Sequence, residues 1–137
     1  MQARKRLAWL ALPLLALVIA SLACGTGFST TAKRYGLSGN VQAKMKEADG
    51  VYTNSIEINE DWSYARFNAT VSLSVSGGSC RATLSGVENT SIVLEASAGG
   101  PNETYGTLVT DGFGEIDLET DCQDAQELVL VIDFTRE

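Results

Sequence analysis

Two groups of side chains in this sequence have the types and spacing to do chemistry at a surface. The first is Trp62, Tyr64 and Arg66. Spacing by two puts them on one side of an extended chain, opposite Phe67 and Val71, and so on the outward face if the strand that follows reaches back that far. Exposed rings in that pattern stack on sugar rings or on a partner, because flat apolar rings desolvate at low entropic cost, and Arg66 can lie over Tyr64. In the competing reading Trp62 caps one end of the core. The second group is Glu115, Asp117, Glu119 and Asp121, with Asp124 just beyond. These carboxylates line one side of a strand, and oxygen-rich clusters bind Ca²⁺. A Ca²⁺-dependent adhesion module is one alternative reading on that basis. Against it, about six to eight oxygens must converge on the ion, and the D-x-[DN]-x-[DN]-G loop is absent. The favoured reading is a solvated strand face whose like charges block edge pairing.

Other chemistry is excluded by composition. The chain has no His, which removes Ser-His-Asp and Cys-His arrangements and any His-containing metal site. Cys80 and Cys122 alone cannot make a structural zinc site. Gly112-Phe113-Gly114 opens a strand, not a helix, so it is no phosphate loop. The expectation is a protein without catalytic residues and without a cofactor. From Glu47 onward lie all 17 acidic residues and only three basic ones, Arg66, Arg81 and Arg136. That surface repels phosphate backbones, which argues against nucleic-acid binding, and attracts cations or basic partners, or simply keeps the protein soluble.

The N-terminus carries the targeting information. Arg4, Lys5 and Arg6 precede an uncharged run over residues 7–20, and Ser21-Leu22-Ala23 places small residues before Cys24. These are the three parts of a secretory signal peptide. Leu22-Ala23-Cys24 after this short leader resembles the lipobox of bacterial lipoproteins. The resemblance implies that Cys24 becomes the first residue, is diacylated on sulfur, and holds the protein on the extracytoplasmic face of a membrane. Two acyl chains suffice for stable anchoring, at about 0.8 kcal/mol per buried CH₂. Ser21 stands where that family usually has Leu, and Ser21-x-Ala23 also suits ordinary signal peptidase. Plain secretion therefore stays open, as does an uncleaved anchor at the lower length limit for a spanning helix. Residues 24–38 are rich in Gly, Ser and Thr without an apolar period and read as a lipidated cysteine and flexible tether. Within it, Lys33 and Arg34 could touch anionic lipid.

Residues 39–137 form the expected domain, and period 2 dominates them. Over residues 65–76 the odd positions are Ala65, Phe67, Ala69, Val71, Leu73 and Val75, and the even positions are nearly all hydroxyl or amide. The same alternation recurs over residues 80–85, 92–96, 115–119 and 128–134, and more weakly over 40–45 and 51–59; residues 104–110 are also strand-like, between turns at 99–102 and 111–112. Val129 and Val131 give the last strand a second apolar face. Residues 42–49 are the one stretch that could instead make a helical turn. Some seven or eight short strands with Gly/Asn/Asp turns predict an all-β, antiparallel β-sandwich of immunoglobulin-like or jelly-roll-like type.

With Cys24 acylated, Cys80 and Cys122 remain as a pair. Each shares a face with inward apolar residues, which predicts an inter-sheet disulfide in an oxidising compartment, contributing about 4 kcal/mol on the chain-entropy model. The stretches TVSLSVSGG (residues 70–78) and ELVLVIDFT (residues 127–135) resemble bacterial pre-peptidase C-terminal β-sandwich modules, which implies a noncatalytic accessory or adhesion role. The acceptor sequons at Asn68, Asn89 and Asn102 would carry glycans in a eukaryotic secretory protein and are polar turns otherwise. The chain reads as a membrane-anchored β-sandwich with a binding or structural role, its partners a membrane through the lipid and a protein or glycan.

Overall fold

The computed structural model describes residues 27–137, in which the period-2 pattern becomes seven strands, all paired antiparallel. They are β1 (Ser29–Tyr35), β2 (Ser38–Glu57), β3 (Arg66–Ser74), β4 (Gly77–Ser85), β5 (Ser91–Ser97), β6 (Asn102–Val109) and β7 (Glu115–Arg136). The expected signal peptide, residues 1–23, and the expected lipidation site, Cys24, lie outside the described residues. Among the described residues no helix is long and apolar enough to cross a membrane.

Two long strands organise the sandwich. β2 has 20 residues and β7 has 22, and they pair from Ser38↔Thr135 to Glu57↔Glu115. The second half of β7 also pairs with β3, giving a layer in the order β1-β2-β7-β3-β6. Its first half pairs with β4, giving a second layer, β2-β7-β4-β5. The inward residues of both layers meet in one core, which includes Val41, Met45, Phe67, Leu73, Leu84, Leu118, Leu130 and Ile132.

The bend between layers has a local cause. The β2–β7 register shifts between Ala48 and Gly50, which face Ala125 and Cys122, so β7 carries an extra residue there. Such a bulge bends and twists a strand pair. Gly50, Asp124 and Glu127 have positive φ, and the Asp124 N–H donates to Asp49 Oδ1 at 3.2 Å. Gly78, at φ +69°, lies so close beneath that a Cβ would meet the Asp124 carbonyl oxygen at 2.2 Å. Only glycine fits that position.

Four expectations change. Residues 40–45 and 51–59 are not separate strands but lie largely within the continuous β2, and residues 115–119 and 128–134 both belong to β7. Residues 42–49 make no helical turn, because Ala43, Met45 and Ala48 bury on the inner face against β7. The tether assigned to residues 24–38 is structured from Ser29, since β1 pairs with β2 from Ser29↔Lys44 to Tyr35↔Ser38 across a Gly36-Leu37 turn. Every β1 side chain is exposed, so backbone pairing, not burial, holds it. Finally, the Cys80–Cys122 disulfide is not inter-sheet. The two residues are direct partners on β4 and β7, with Cα atoms 4.0 Å apart. Inward phase identified both cysteines but could not say that they shared a layer.

Candidate functional site

Trp62 is buried, with 4% of its surface exposed. β3 starts only at Arg66, and Tyr64 has φ +51°, so the alternation that would carry Trp62 outward is broken before it. The loop folds back: the Ala65 N–H donates to Thr110 Oγ1 at 2.9 Å, and that hydroxyl donates to the Trp62 carbonyl. The indole then plugs the end of the core. It packs edge-on to Phe134 at 5.5 Å between centroids and against Phe67 at 6.3 Å, with the Arg136 guanidinium 5.6 Å above it. Tyr64 is 67% exposed beside Gly112. Arg66 pairs with Glu88 at 3.3 Å and reaches Glu137 at 4.0 Å. The three side chains do not form one surface, and the expected binding site at Trp62, Tyr64 and Arg66 is not assembled.

The acidic row falls on the outer side of the β2-β7-β4-β5 layer. Asp117, Glu119 and Asp121 are exposed and Glu115 is half-buried. Asp121 faces Arg81 on β4, Glu119 lies between Thr53 and Thr83, and Asp117 lies between Ser55 and Ser85. Outward residues along a strand are about 6.7 Å apart, so these oxygens diverge. Among the described residues no group of three or more acidic or cysteine side chains is placed to hold a metal ion, and the expected Ca²⁺ site at Glu115, Asp117, Glu119 and Asp121 is not formed.

A different face of the molecule carries a groove of about 780 Å³. It lies on the outer side of the β1-β2-β7-β3-β6 layer. Strand registers align one row across all five strands as Lys33, Asn40, Asp133, Thr70 and Tyr105. The next row is Tyr35, Ser38, Thr135, Asn68 and Thr107. Tyr35, on β1, is 68% exposed and Tyr105, on β6, is 85% exposed. Two tall aromatic side chains therefore stand at opposite edges of a floor made of short hydroxyl, amide and carboxylate groups.

The floor is held in register by its own bonds. Asn40 Nδ2 donates to Asp133 Oδ1 at 2.6 Å, and Thr107 Oγ1 donates to Asn68 Oδ1 at 3.0 Å. The second Asp133 oxygen, the Asn40 carbonyl oxygen and the Asn68 amide N–H groups have no side-chain partner among the described residues. Among the described residues, Asp133 is the one charged side chain lining the groove. This arrangement can stack a flat apolar face at each edge and exchange hydrogen bonds in both directions between them.

Sequence patterning passed over this site for two reasons. Tyr35 lies in a segment whose Gly, Ser and Thr content reads as a tether. The even face of residues 65–76 reads as hydroxyl and amide, but nothing local says which outward faces lie side by side. The usable signal is an aromatic residue, Tyr105, two positions from Thr107 on the same side of a strand-like segment.

No protein-family model matches the chain, and no curated protein matches it in sequence. Solved structures similar to it include the carbohydrate-binding module of a Cellvibrio mixtus lichenase in complex with cellotriose, at 12% identity over 81% of this chain and 88% of that one, with a TM-score of 0.36. A xylan-binding domain from Paenibacillus barcinonensis matches at 7% identity over 79% and 85% of the two chains, with a TM-score of 0.41. The cupin domain of Schizosaccharomyces pombe Cnp3 matches at 11% identity over 80% and 60%, with a TM-score of 0.36. At these identities and TM-scores the likeness carries no inference about what this chain binds.

Proposed function

We propose that this protein is a noncatalytic carbohydrate-binding β-sandwich, held at the extracytoplasmic face of a membrane by a lipid on Cys24, and that glycan lies in the groove between Tyr35 and Tyr105. The observation that carries the binding reading is the placement of two exposed tyrosines, one row apart, at the two edges of a floor of Asn40, Asp133, Asn68, Thr70 and Thr107. A sugar ring has an apolar face that stacks on a phenol and a rim of hydroxyls that both donate and accept. Carboxylate and amide groups at fixed spacing match that rim.

Binding is tested with the full chain in detergent, by affinity electrophoresis through gels containing soluble polysaccharides and by retention on insoluble ones. Tyr35→Ala and Tyr105→Ala are each expected to weaken binding roughly tenfold, by about 1–2 kcal/mol, with the melting temperature unchanged. Retention unaffected by both substitutions would count against the groove.

The anchoring reading is supported by the leader Arg4-Lys5-Arg6, the apolar run and Leu22-Ala23-Cys24. It is also supported by the Cys80–Cys122 disulfide, which suits an oxidising compartment and leaves Cys24 as the odd thiol. Mass analysis of the N-terminal peptide from the membrane fraction is expected to find a diacylated Cys24. An unmodified Cys24 terminus, or an intact Met1, sinks this assignment.

A further inference from the structure

We infer that the groove selects uncharged glycan chains that cross the strands, and that Asp133 rejects uronate-bearing or sulfated ones; this rests on the carbohydrate reading of the same groove. The direction of the ligand follows from the two tyrosines. They stand on β1 and β6, with β2, β7 and β3 between them. Four strand spacings make a path of about 19 Å, the length of several sugar rings laid end to end. A chain running along the strands would meet one tyrosine and not the other. β1 and β6 are the two ends of the strand order of this layer, so a polymer can enter over one edge and leave over the other. The groove therefore takes an internal stretch of chain.

The charge selectivity follows from Asp133. It sits on β7, the central strand of the five, in the middle of the row Lys33–Asn40–Asp133–Thr70–Tyr105. Tyr35 stands one row on, level with Thr135, so a chain spanning the tyrosines crosses β7 between Asp133 and Thr135, within reach of the Asp133 carboxylate. Its partner is the Asn40 amide at 2.6 Å, which is neutral and leaves the negative charge uncompensated. Lys33 stands two strands from Asp133 at the β1 end of that row and does not line the groove, and among the described residues no basic side chain lines it. A carboxylate or sulfate on the ligand would meet a like charge with no cation between them, in a chain whose acidic residues outnumber basic ones by 17 to 10. Discrimination of this kind comes from a repulsive element aimed at the wrong ligand. A sugar hydroxyl, in contrast, donates to the second Asp133 oxygen and makes a charge-assisted bond.

The test uses the full chain in detergent and a panel of neutral soluble polysaccharides. Each one that binds is compared with its own C6-oxidised form, in which the hydroxymethyl groups are converted to carboxylates and the linkages are unchanged. The oxidised polymer is expected to bind at least tenfold more weakly at low salt, with the gap shrinking as salt is raised. Asp133→Asn keeps the size of the side chain and is expected to bring the two forms within about threefold of each other, while the melting temperature holds. Equal binding of neutral and oxidised polymers by the unmodified protein, or a gap that survives Asp133→Asn, overturns the charge selection and leaves the carbohydrate reading standing. Absence of binding to every neutral polymer removes both.

Discussion

At the scale of single residues, two aromatic side chains with opposite environments separate structure from function. Trp62 was singled out by its spacing from Tyr64 and Arg66, yet its indole is enclosed by Phe67, Phe134 and the Arg136 guanidinium. Tyr105 looks unremarkable in the sequence and projects almost wholly into solvent. Trp62→Ala would leave a large void beside two phenylalanines and is expected to cost about 3–5 kcal/mol of folding stability, read as a lower urea midpoint. Tyr105→Ala removes no buried contact and is expected to stay within about 0.5 kcal/mol. Glycan binding should show the reverse order once both variants are assayed well below their melting temperatures. A Trp62→Ala protein that keeps full stability would mean that the indole is not the plug described above.

At the scale of elements, β1 is the weakest part of the groove and the least visible in the sequence. All seven of its side chains are exposed, so no hydrophobic burial fixes it. Besides its ladder with β2, it is pinned by Arg34, whose Nε donates to the Ile58 carbonyl at 2.7 Å and whose second nitrogen reaches the Glu57 carbonyl and carboxylate, both at 3.2 Å. Arg34→Ala is expected to raise amide exchange across β1 by about fivefold, equivalent to about 1 kcal/mol, and to weaken glycan binding several-fold by loosening the wall that carries Tyr35. Exchange in β3 and β4 should not change. Uniform loss of protection across the sheet would show that β1 is part of the global unfolding unit instead. Legibility in the sequence follows the same line. β3, β5 and the inward cysteines were readable because one face of each is buried, and burial writes itself as alternation. β1 has no buried face, and its polar sequence is the composition of a linker. The joining of residues 40–45 and 51–59 into β2 was hidden because a bulge at Ala48 and Gly50 shifts the phase where the chain changes layers. The groove was hidden for a further reason: its residues come from β1, β2, β7, β3 and β6, and only long-range register brings them into rows.

At the scale of the whole molecule, β2 and β7 make the two layers thermodynamically inseparable. Each contributes one half to each layer, so neither layer can unfold without breaking the ladder that runs through the other. The Cys80–Cys122 bridge ties β4 to the first half of β7, in the layer that does not carry the groove, and closes a loop between residues 42 positions apart. On the chain-entropy model that closure contributes about 4 kcal/mol. If the layers were independent, losing the bridge would weaken β4 and β5 alone. Because β7 is shared, the loss should reach the Trp62–Phe67–Phe134 cluster as well. Reduction of the disulfide, or the paired replacement Cys80→Ala with Cys122→Ala, is therefore expected to lower the urea midpoint by an amount corresponding to about 2–5 kcal/mol. Far-ultraviolet circular dichroism, which reports all strands, and the near-ultraviolet signal of the aromatic cluster should shift together as one transition. Glycan binding below the new midpoint should persist, since no groove residue touches the bridge. Two separated transitions, with the aromatic signal unmoved, would show instead that the bend at Ala48–Gly50 uncouples the layers and that the groove-bearing sheet stands without its partner.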